Sequence, residues 1–498
     1  MNTDVMHPSR LRKAKGPKHT QIDEERSKVH VEFESIPRAS AEDEPTLIRA
    51  MQDRYLCPEG FLNFRVSGEL PVSSGYFEFG PDTTCYGRCA SGVSNPQLKS
   101  PLCDTFPSVL LDGTQLVLPF DPNEVLDNLR LERYPTSRLG EYENLLKRIY
   151  YRIRPMTSRW LRKHIQRLRA ANWQRKQFPR WPVDTTVENV CENLLLLSLR
   201  ASGVDRIPFI WFWPDGARGC VAMTHDVEAE PGRDFCQQLM DIDDSYGIKA
   251  SFQIVPEGRY AVSQEFLSGL RDRGCEVCVQ DLNHDGRLFD EREEFLRRVA
   301  RINRYGHEYG AKGYRSAVLY RKPEWYKDLS FSYDMSFPNV AHLDPQQGGC
   351  CTVMPYFIGD VLELPLTTIQ DYTLFHVLNE HSIDLWKKQV EMILDKNGLA
   401  SFIVHPDYIL ESATVGVYKE LLGTLRTLRE RDSIWFALPG DINDWWRERS
   451  RMSVVEDGES WRIAGVGAER AVLAFAREVD GQLVYELAGK PQRYLPAR

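Results

Sequence analysis

The chain has 498 residues, of which 42% are hydrophobic and 27% charged, and its formal net charge is −8. This length exceeds one ordinary hydrophobic core, so two or three globular domains are expected. The acidic balance excludes a generally basic nucleic-acid-binding protein, and the sequence contains no apolar run of about eighteen residues that predicts a membrane-spanning helix.

The first residues lack the basic, apolar and small-residue succession that is typical of a secretory signal peptide. The eleven cysteines fit a compartment that keeps thiols reduced. We therefore expect a cytoplasmic protein. Residues 1–44 are polar with a basic start, which predicts a disordered tail.

Residues 45–205 predict an N-terminal α+β region. Short apolar runs at 108–111 and 115–119, between Gly, Pro and Ser residues, predict strands and turns. Apolar residues then recur at helical spacing from 141 to 199. A metal site could form in this region from Cys57, Cys85, Cys89 and Cys103, although their spacing is not a strong zinc signature.

A basic segment at residues 147–180 holds twelve Lys or Arg residues and no acidic residue. Solvated helices normally carry both positive and negative side chains. Positive charges alone would repel one another, so this composition predicts an anionic group or surface close to the segment. With Trp160 and Trp173 interleaved, the segment could lie on an anionic membrane surface, and the protein would then be peripheral at the inner membrane face. An anionic substrate and the acidic remainder of the chain stay open as alternatives.

Residues 206–445 alternate between strand and helix patterns, which predicts an α/β domain built on a parallel sheet or barrel. The predicted strands are 220–224, 250–255, 275–279, 361–366, 399–404 and 434–438. The predicted helices are 234–246, 264–273, 291–309, 383–396 and 418–431. Residues 446–498 predict a small β appendage with strands near 451–455, 461–464, 471–475 and 482–486.

Polar residues follow three of the predicted strands, where parallel α/β folds carry their functional groups. The first strand runs into Thr224-His225-Asp226-Val227-Glu228. The third runs into residues 280–286, which include Gln280 and His284, and a later strand runs into His405. A carboxylate base, an imidazole acid and a metal held by His and carboxylate together predict a hydrolytic site.

These segments resemble the polysaccharide deacetylases of the NodB-homology family (carbohydrate esterase family 4), in the branch whose first motif reads Thr-His-Asp-Val-Asp. The resemblance covers about 240 residues. It implies an irregular (β/α) barrel, with Asp226 as catalytic base and Glu228, Gln280 and His284 at the metal-binding positions. It further implies that His405 is the catalytic acid and that Arg315 orients the base. Asp371 matches the acidic residue that partners this arginine in the family, so Arg315 and Asp371 together are expected to orient Asp226 and His405.

Two positions depart from the family pattern. Glu228 stands where the family has Asp, and Gln280 stands where it has a metal-binding His. An amide oxygen is a poor ligand for zinc-like metals, so Asp281 or Asp285 is an alternative third ligand.

The resemblance implies a metal-dependent hydrolase that removes an acetyl or other acyl group from an N-acetylated sugar, glycan or lipid-linked sugar. The expected cofactor is a divalent metal, either zinc or another transition metal. A catalytically inactive barrel that binds a glycan or acts as a scaffold stays open as the alternative, because of Gln280.

Overall fold

The computed structural model describes residues 47–91, 95–98, 101–135, 178–342, 348–489 and the backbone of 495–496. Helices in these ranges are α1 Arg49–Tyr55, α2 Pro122–Arg130, α3 Thr186–Ser202, α4 Glu230–Ser245, α5 Gln264–Asp272, α6 Arg292–Glu308, α7 Asp384–Asp395, α8 Ser412–Asp432 and α9 Pro439–Arg449.

The strands that precede the central sheet are β1 Phe64–Val66, β2 Gly75–Glu78, β3 Thr84–Gly87, β4 Leu110–Asp112, β5 Gln115–Leu118 and β6 Ile207–Ile210. The central strands are β7 Cys220–Val227, β8 Ala250–Ile254, β9 Glu276–Gln280, β10 Gly313–Arg315, β11 Tyr333–Asp334, β12 Tyr356–Ile358, β13 Val361–Glu363, β14 Leu399–Ile403 and β15 Trp435–Phe436. The last strands are β16 Ser453–Asp457, β17 Ser460–Ala464, β18 Leu473–Val479, β19 Gln482–Leu487 and β20 Leu495–Pro496.

The central sheet has nine strands in the order β12-β13-β11-β10-β9-β8-β7-β14, with β15 also paired to β7. Every pairing in it is parallel except that of β12 with β13. Strands β7, β8 and β14 are buried along their whole length, as expected for parallel strands covered by helices on a face. The predicted mixed α/β class is confirmed, and the predicted strands and helices of 220–438 lie within a few residues of their observed positions.

The segment after β13 runs beside β14 without forming a regular ladder. Thr367 Oγ1 donates to Leu399 O at 2.6 Å, and Thr368 Oγ1 donates to Ser401 O at 2.8 Å. Threonine hydroxyls therefore replace part of the backbone pairing between the two sides of the curled sheet. Complete closure into the irregular barrel stays a prediction.

The helices cover the sheet with apolar faces. Ser263 caps α5 by accepting from Phe266 N at 3.1 Å, and Leu267 and Leu270 of that helix are buried. One large hydrophobic cluster joins β7, β8, β9 and β14 to residues from α4 to α8. This core fixes the positions of the carboxyl ends of β7, β9 and β14.

The N-terminal region contains the short strands and helices that its composition predicts. Strands β1, β5 and β4 form one small sheet, and β2 and β3 form a hairpin. Cys57, Cys85 and Cys89 are buried, and all cysteines that the structure describes are free thiols. Cys278 of the Cys275-x-x-Cys278 pair is buried in the core, whereas Cys275 is half-buried.

The C-terminal strands form a hairpin, β16 with β17, and a second sheet in the order β20-β19-β18-β6. Strand β6 precedes the central sheet in the chain and pairs antiparallel with β18, with Ile207 opposite Ala476. Tyr55 and Tyr485 share a hydrogen bond of 2.8 Å, so the N-terminal region also contacts this sheet. The proposed boundaries near residues 205 and 445 thus cut across contacts, and they stay predictions.

Three sequence predictions fall wholly or partly on residues that the structure leaves undescribed. The tail at 1–44 lies wholly outside the described residues. Residues 141–177 of the helical pattern also lie outside them, and of the basic segment 147–180 only residues 178–180 are described. Within the described ranges, no helix combines the length and apolar character needed to cross a membrane.

Candidate active site

The carboxyl end of β7 supplies the first side chains of the site. Alternation along the strand puts Thr224 and Asp226 on one face, and Arg315 Nη1 contacts both of them. Glu228 follows at the end of the strand and is half-buried, with 21% of its side chain exposed. The strand therefore carries one deeply buried carboxylate and one that solvent can reach.

Asp226 is held from two sides. Arg315, the last residue of β10, forms an ion pair with Oδ1, and Gln280 Nε2 donates to Oδ2 at 2.9 Å. Gln280 and Arg315 lie opposite each other at the ends of neighbouring strands β9 and β10. Because an ionised carboxylate only accepts, the amide nitrogen of Gln280 must face Asp226. Three predicted site residues are thus brought together.

Glu228 lies between two imidazoles. Its Oε1 is 2.8 Å from His284 Nε2 and 3.5 Å from His405 Nε2. Burial alone would raise the pKa of Glu228, but the charges of His284 and His405 outweigh it and hold the pKa well below its usual range. Glu228 is therefore an anion over the whole neutral range.

His284 sits in a left-handed backbone conformation, with φ of 55°. That conformation is uncommon outside glycine and occurs often at functional sites. Burial lowers the pKa of His284, but the charge of Glu228 outweighs burial and raises the pKa above its usual value. On the other side of the ring, Nδ1 is 3.1 Å from Nη2 of the exposed Arg259.

His405 follows β14 and is paired with Asp371. The Nδ1 atom of His405 is 2.6 Å from Asp371 Oδ1, and the His405 backbone N–H donates to Oδ2 at 2.7 Å. Burial would lower the pKa of His405, but the charges of Asp371 and Glu228 outweigh it and raise the pKa well above the usual value. The imidazole is therefore a protonated acid at neutral pH.

The alternative third ligands differ in their availability. Asp285 accepts two hydrogen bonds from Arg298, at 2.8 and 2.9 Å, so both of its oxygens are engaged. Asp281 is buried with φ of 50°, and its Oδ1 accepts from Leu282 N at 2.7 Å. Of the two, only Asp281 keeps a carboxylate oxygen without a hydrogen-bond partner.

A metal ion would need donor atoms that converge. In the part of the chain that the structure describes, no group of three or more His, Cys, Asp or Glu side chains is arranged to hold one. Two buried atoms at the predicted ligand positions nevertheless lack a hydrogen-bond partner, namely Gln280 Oε1 and His284 Nε2. The Nε2 atom lies close to Glu228 without the geometry of a hydrogen bond.

Asp407 is a site residue that the sequence interpretation missed. Its Oδ2 accepts from Glu228 N at 3.0 Å and its Oδ1 accepts from Gly232 N at 3.1 Å. Asp407 thereby fixes the backbone of Glu228 and satisfies the amino end of α4. The signal was present in the His405-Pro406-Asp407 turn, but the partner of Asp407 is 179 residues away in sequence.

No protein-family model matches the chain, and no curated protein is found as a relative. Among solved structures, the chain is similar to a protein from Mycobacterium smegmatis that is provisionally named a polysaccharide deacetylase. The two share 18% identity over 48% of this chain and 93% of that one, with a TM-score of 0.38.

It is also similar to the Puue allantoinase (12% identity, 47% of this chain and 92% of that one, TM-score 0.38). A third similar structure is the peptidoglycan deacetylase PdaC from Bacillus subtilis (12% identity, 47% and 94% of the two chains, TM-score 0.28). Scores of this size carry no functional argument. The function must therefore be inferred from the side chains themselves.

Proposed function

We propose that the chain is a hydrolase that removes an acetyl or other acyl group from the nitrogen of an N-acetylated sugar or glycan. The observation that carries the proposal is the presence of two buried acid–base units near Glu228, which follows Asp226 along the chain and lies 3.5 Å from His405 Nε2. One unit is Asp226 with Arg315, and the other is His405 with Asp371. Amide hydrolysis needs such a base and such an acid in one site.

Asp226 is the proposed general base. Arg315 and Gln280 fix the carboxylate through one oxygen each, which leaves the remaining lone pairs to accept a proton from an attacking water. Arg315 has its Nε bound to Met335 O at 3.1 Å, so its guanidinium is itself anchored to the backbone. A base held this rigidly loses little freedom when substrate binds.

His405 is the proposed general acid. Its Nδ1 is committed to Asp371, so Nε2 is the nitrogen that faces Glu228 and the site. The raised pKa keeps a proton on the ring at neutral pH. When the acyl–nitrogen bond breaks, His405 can pass that proton to the departing amine.

The donor set fits a weakly held divalent cation. Glu228 offers a carboxylate oxygen, His284 offers Nε2, and Gln280 offers the amide oxygen that its contact with Asp226 leaves unpaired. A cation bound there would polarise the acyl carbonyl and make a water more acidic. Ligation through Nε2 puts the ring proton on Nδ1, so the exposed Arg259 side chain must turn away from it.

The second candidate is a barrel that binds a glycan without hydrolysing it. Gln280 favours this candidate because its amide is already engaged by Asp226 and replaces an imidazole ligand. The site then lacks the third strong donor that a catalytic zinc normally has. An amide hydrolase that binds its metal through a different set of ligands would use Asp281 as the additional ligand, because Asp285 is already bound by Arg298.

The test combines metal analysis with an acetate-release assay. Protein purified without added metal or chelator is analysed for metal and then incubated with N-acetylglucosamine oligomers in the presence of zinc, manganese or nickel. We expect acetate release that falls by about 10²- to 10⁴-fold in Asp226→Asn. His284→Ala should lose bound metal, and Gln280→His should bind metal more tightly.

Glu265→Gln is the matched control, because Glu265 is an exposed carboxylate on α5 outside the site. It should leave acetate release unchanged. No acetate release from wild type or from Gln280→His with any metal would contradict the hydrolase and favour the binding protein. Calorimetry with the same oligomers would then measure glycan binding directly.

We further propose that the basic segment 147–180 contacts an anionic membrane surface, which would suit a lipid-linked sugar substrate. Its twelve basic residues support the proposal, and a cytoplasmic location at the inner membrane face would follow from it. Vesicles with and without anionic lipid, mixed with the intact chain at low salt, test the contact. Equal sedimentation with both kinds of vesicle would contradict it.

A further inference from the structure

His225 lies on the face of β7 opposite to Thr224 and Asp226. It is fully buried, and each of its ring nitrogens meets an acceptor. Nδ1 is 2.9 Å from Val404 O, and Nε2 is 2.9 Å from Asp243 Oδ2. A backbone carbonyl only accepts hydrogen bonds, so Nδ1 is the donor in the first contact.

The contact continues outward into two helices. Asp243 belongs to α4, and its second oxygen accepts from the hydroxyl of Tyr418 in α8 at 2.6 Å. Asp243 and Tyr418 are both buried. The side chains of His225, Asp243 and Tyr418, called here the outer triad, therefore join β7 and the end of β14 to the helical layer. The proposed general base and general acid do not contact this triad through their side chains.

Val404, whose carbonyl accepts from His225, directly precedes the proposed acid His405. Regular pairing between β7 and β14 ends at Thr224 and Ile403, followed by one hydrogen bond from Val404 N to Thr224 O at 3.0 Å. The next residues on the two strands lead into Asp226 and His405. His225 thus ties the backbone immediately before the acid to the backbone immediately before the base.

We infer that His225 is a positioning residue that sets the separation between Asp226 and His405 through its hydrogen bond to Val404 O. The inference rests on the proposed function and deepens it. Base and acid act on the two sides of one acyl–nitrogen bond, and a misplacement of about 1 Å can lower the rate by about 10²-fold. Binding of the remaining sugar units does not depend on that separation.

Two amide substitutions separate the contacts of the ring. The amide nitrogen of Asn lies near the position of Nδ1, so His225→Asn keeps a donor for Val404 O. The amide nitrogen of Gln lies near Nε2, so His225→Gln keeps the contact with Asp243 and loses the one with Val404. We expect kcat to fall by roughly ten- to a hundredfold in His225→Gln, with KM changed by less than about twofold. His225→Asn should retain most of the wild-type kcat.

Hydrogen exchange gives a readout that needs no substrate. The amides of Val404 and His405 are bonded to Thr224 O and Asp371 Oδ2, so their protection reports how firmly the strand end is held. Exchange at these two amides should be faster in His225→Gln than in His225→Asn. Ile242→Val, in the same helix as Asp243, is the control for general loss of stability and should change neither kcat nor this exchange.

Equal effects of His225→Gln and His225→Asn on both readouts, whether both harmless or both severe, would overturn the inference. If wild type releases no acetate, the proposed function fails while the exchange comparison still decides the role of the Val404 contact. If His225→Gln does not fold, Tyr418→Phe replaces it, because this change loosens Asp243, the partner of His225 Nε2, without touching β7. Exchange at His405 that is no faster in Tyr418→Phe than in wild type would then overturn the inference. If His225→Asn does not fold, His225→Gln is compared with wild type, and unchanged exchange in His225→Gln overturns the inference.

Discussion

Asp226 and Arg315 are buried together, and we expect their pairing to matter for the proposed activity of the site as well as for its stability. Removing one partner of a buried ion pair leaves an uncompensated charge and costs about 3–5 kcal/mol. Asp226→Asn keeps the shape and can still accept from Arg315. Replacement by Ala would instead mix loss of the base with loss of folding stability.

The pH dependence of turnover should report the pairing of His405 with Asp371. The pKa of His405 is raised well above its usual value, so the acid form exists at neutral pH and is lost as pH rises through that raised pKa. The alkaline limb of kcat against pH should therefore lie above the range of an ordinary histidine. In Asp371→Asn, loss of the negative charge should move this limb to lower pH.

Acetate release measured from about pH 5 to 10 for both proteins checks this expectation. Glu265→Gln serves again as the control and should leave the limb where it is. A limb at the same pH in wild type and Asp371→Asn would mean that His405 is not the acid, or that its proton is held by another group.

The junction between β7 and α4 depends on a close approach of Asp407 to Gly232. A Cβ added at Gly232 would come within 2.4 Å of the Asp407 carboxyl group, whereas one added at Gly269 in α5 meets no atom within 4 Å. Gly232→Ala should therefore destabilise the protein by about 1–3 kcal/mol through overpacking. Gly269→Ala should stabilise it by about 0.5–1 kcal/mol through helix propensity.

Urea denaturation of the two variants measures both free energies. Gly232→Ala should also weaken metal binding, because displacement of Asp407 loosens the backbone of Glu228. If both substitutions stabilise equally, Asp407 is free to move and does not position Glu228.

Strands β11 and β13 bring two carboxyl groups together in the core. Asp334 lies opposite Glu363 in the parallel pairing, and both side chains are buried. Burial, reinforced by Asp334, raises the pKa of Glu363 well above its usual value, and burial also raises the pKa of Asp334. The folded state therefore keeps a proton on this pair at a pH where the unfolded chain has released it.

The sign of the pH effect follows from these raised pKa values. The stabilising contribution is complete below the unfolded pKa, near about 4, and is lost as pH rises through the folded values. In Glu363→Gln the amide takes the place of the proton, so the free energy of unfolding should decrease less between about pH 5 and 8 than in wild type. Urea denaturation across this range checks the slope, and a slope identical to that of wild type would contradict the shared proton.

Arg449 connects the beginning of the described chain to the central layer. The guanidinium group donates to four backbone carbonyls: Asp53 O at 2.9 Å, Arg54 O at 2.6 Å, Ile210 O at 2.6 Å and Trp211 O at 2.9 Å. The first two carbonyls lie in α1, the third ends β6 and the fourth follows β6 directly. Arg449 is the last residue of α9. One side chain thus joins the N-terminal region, the strand before the central sheet and the last helix of that layer.

Arg449→Leu should destabilise the protein by at least about 3 kcal/mol, because several buried acceptors lose their donor together. Arg451→Leu, two residues away and exposed, should stay within about 0.5 kcal/mol of wild type. Thermal unfolding of the two variants measures the difference. A small effect of Arg449→Leu would mean that water replaces the guanidinium at these carbonyls.

The α/β alternation could be predicted from local sequence patterns, because each strand and each helix has its own characteristic spacing of apolar residues. It was also sufficient to find Asp226, Gln280, Glu228, His284 and His405, since polar residues at the ends of apolar strands stand out in a sequence. Their roles came from the resemblance, and whether they hold a metal stays a prediction. The pairing of β6 with β18 could not be predicted, because it joins segments more than two hundred residues apart.

The order of residues along the chain is enough to predict which chemical groups the site contains and which strands carry them: a carboxylate after β7, an amide at the end of β9 and an imidazole after β14. How these groups contact one another depends on the folded arrangement of the strands and helices. In the folded chain the Gln280 amide donates to Asp226, and Arg298 donates to Asp285. Asp407 and the outer triad form hydrogen bonds with residues at the strand ends. These contacts depend on distance in space between residues remote in the chain, and no local pattern encodes that distance.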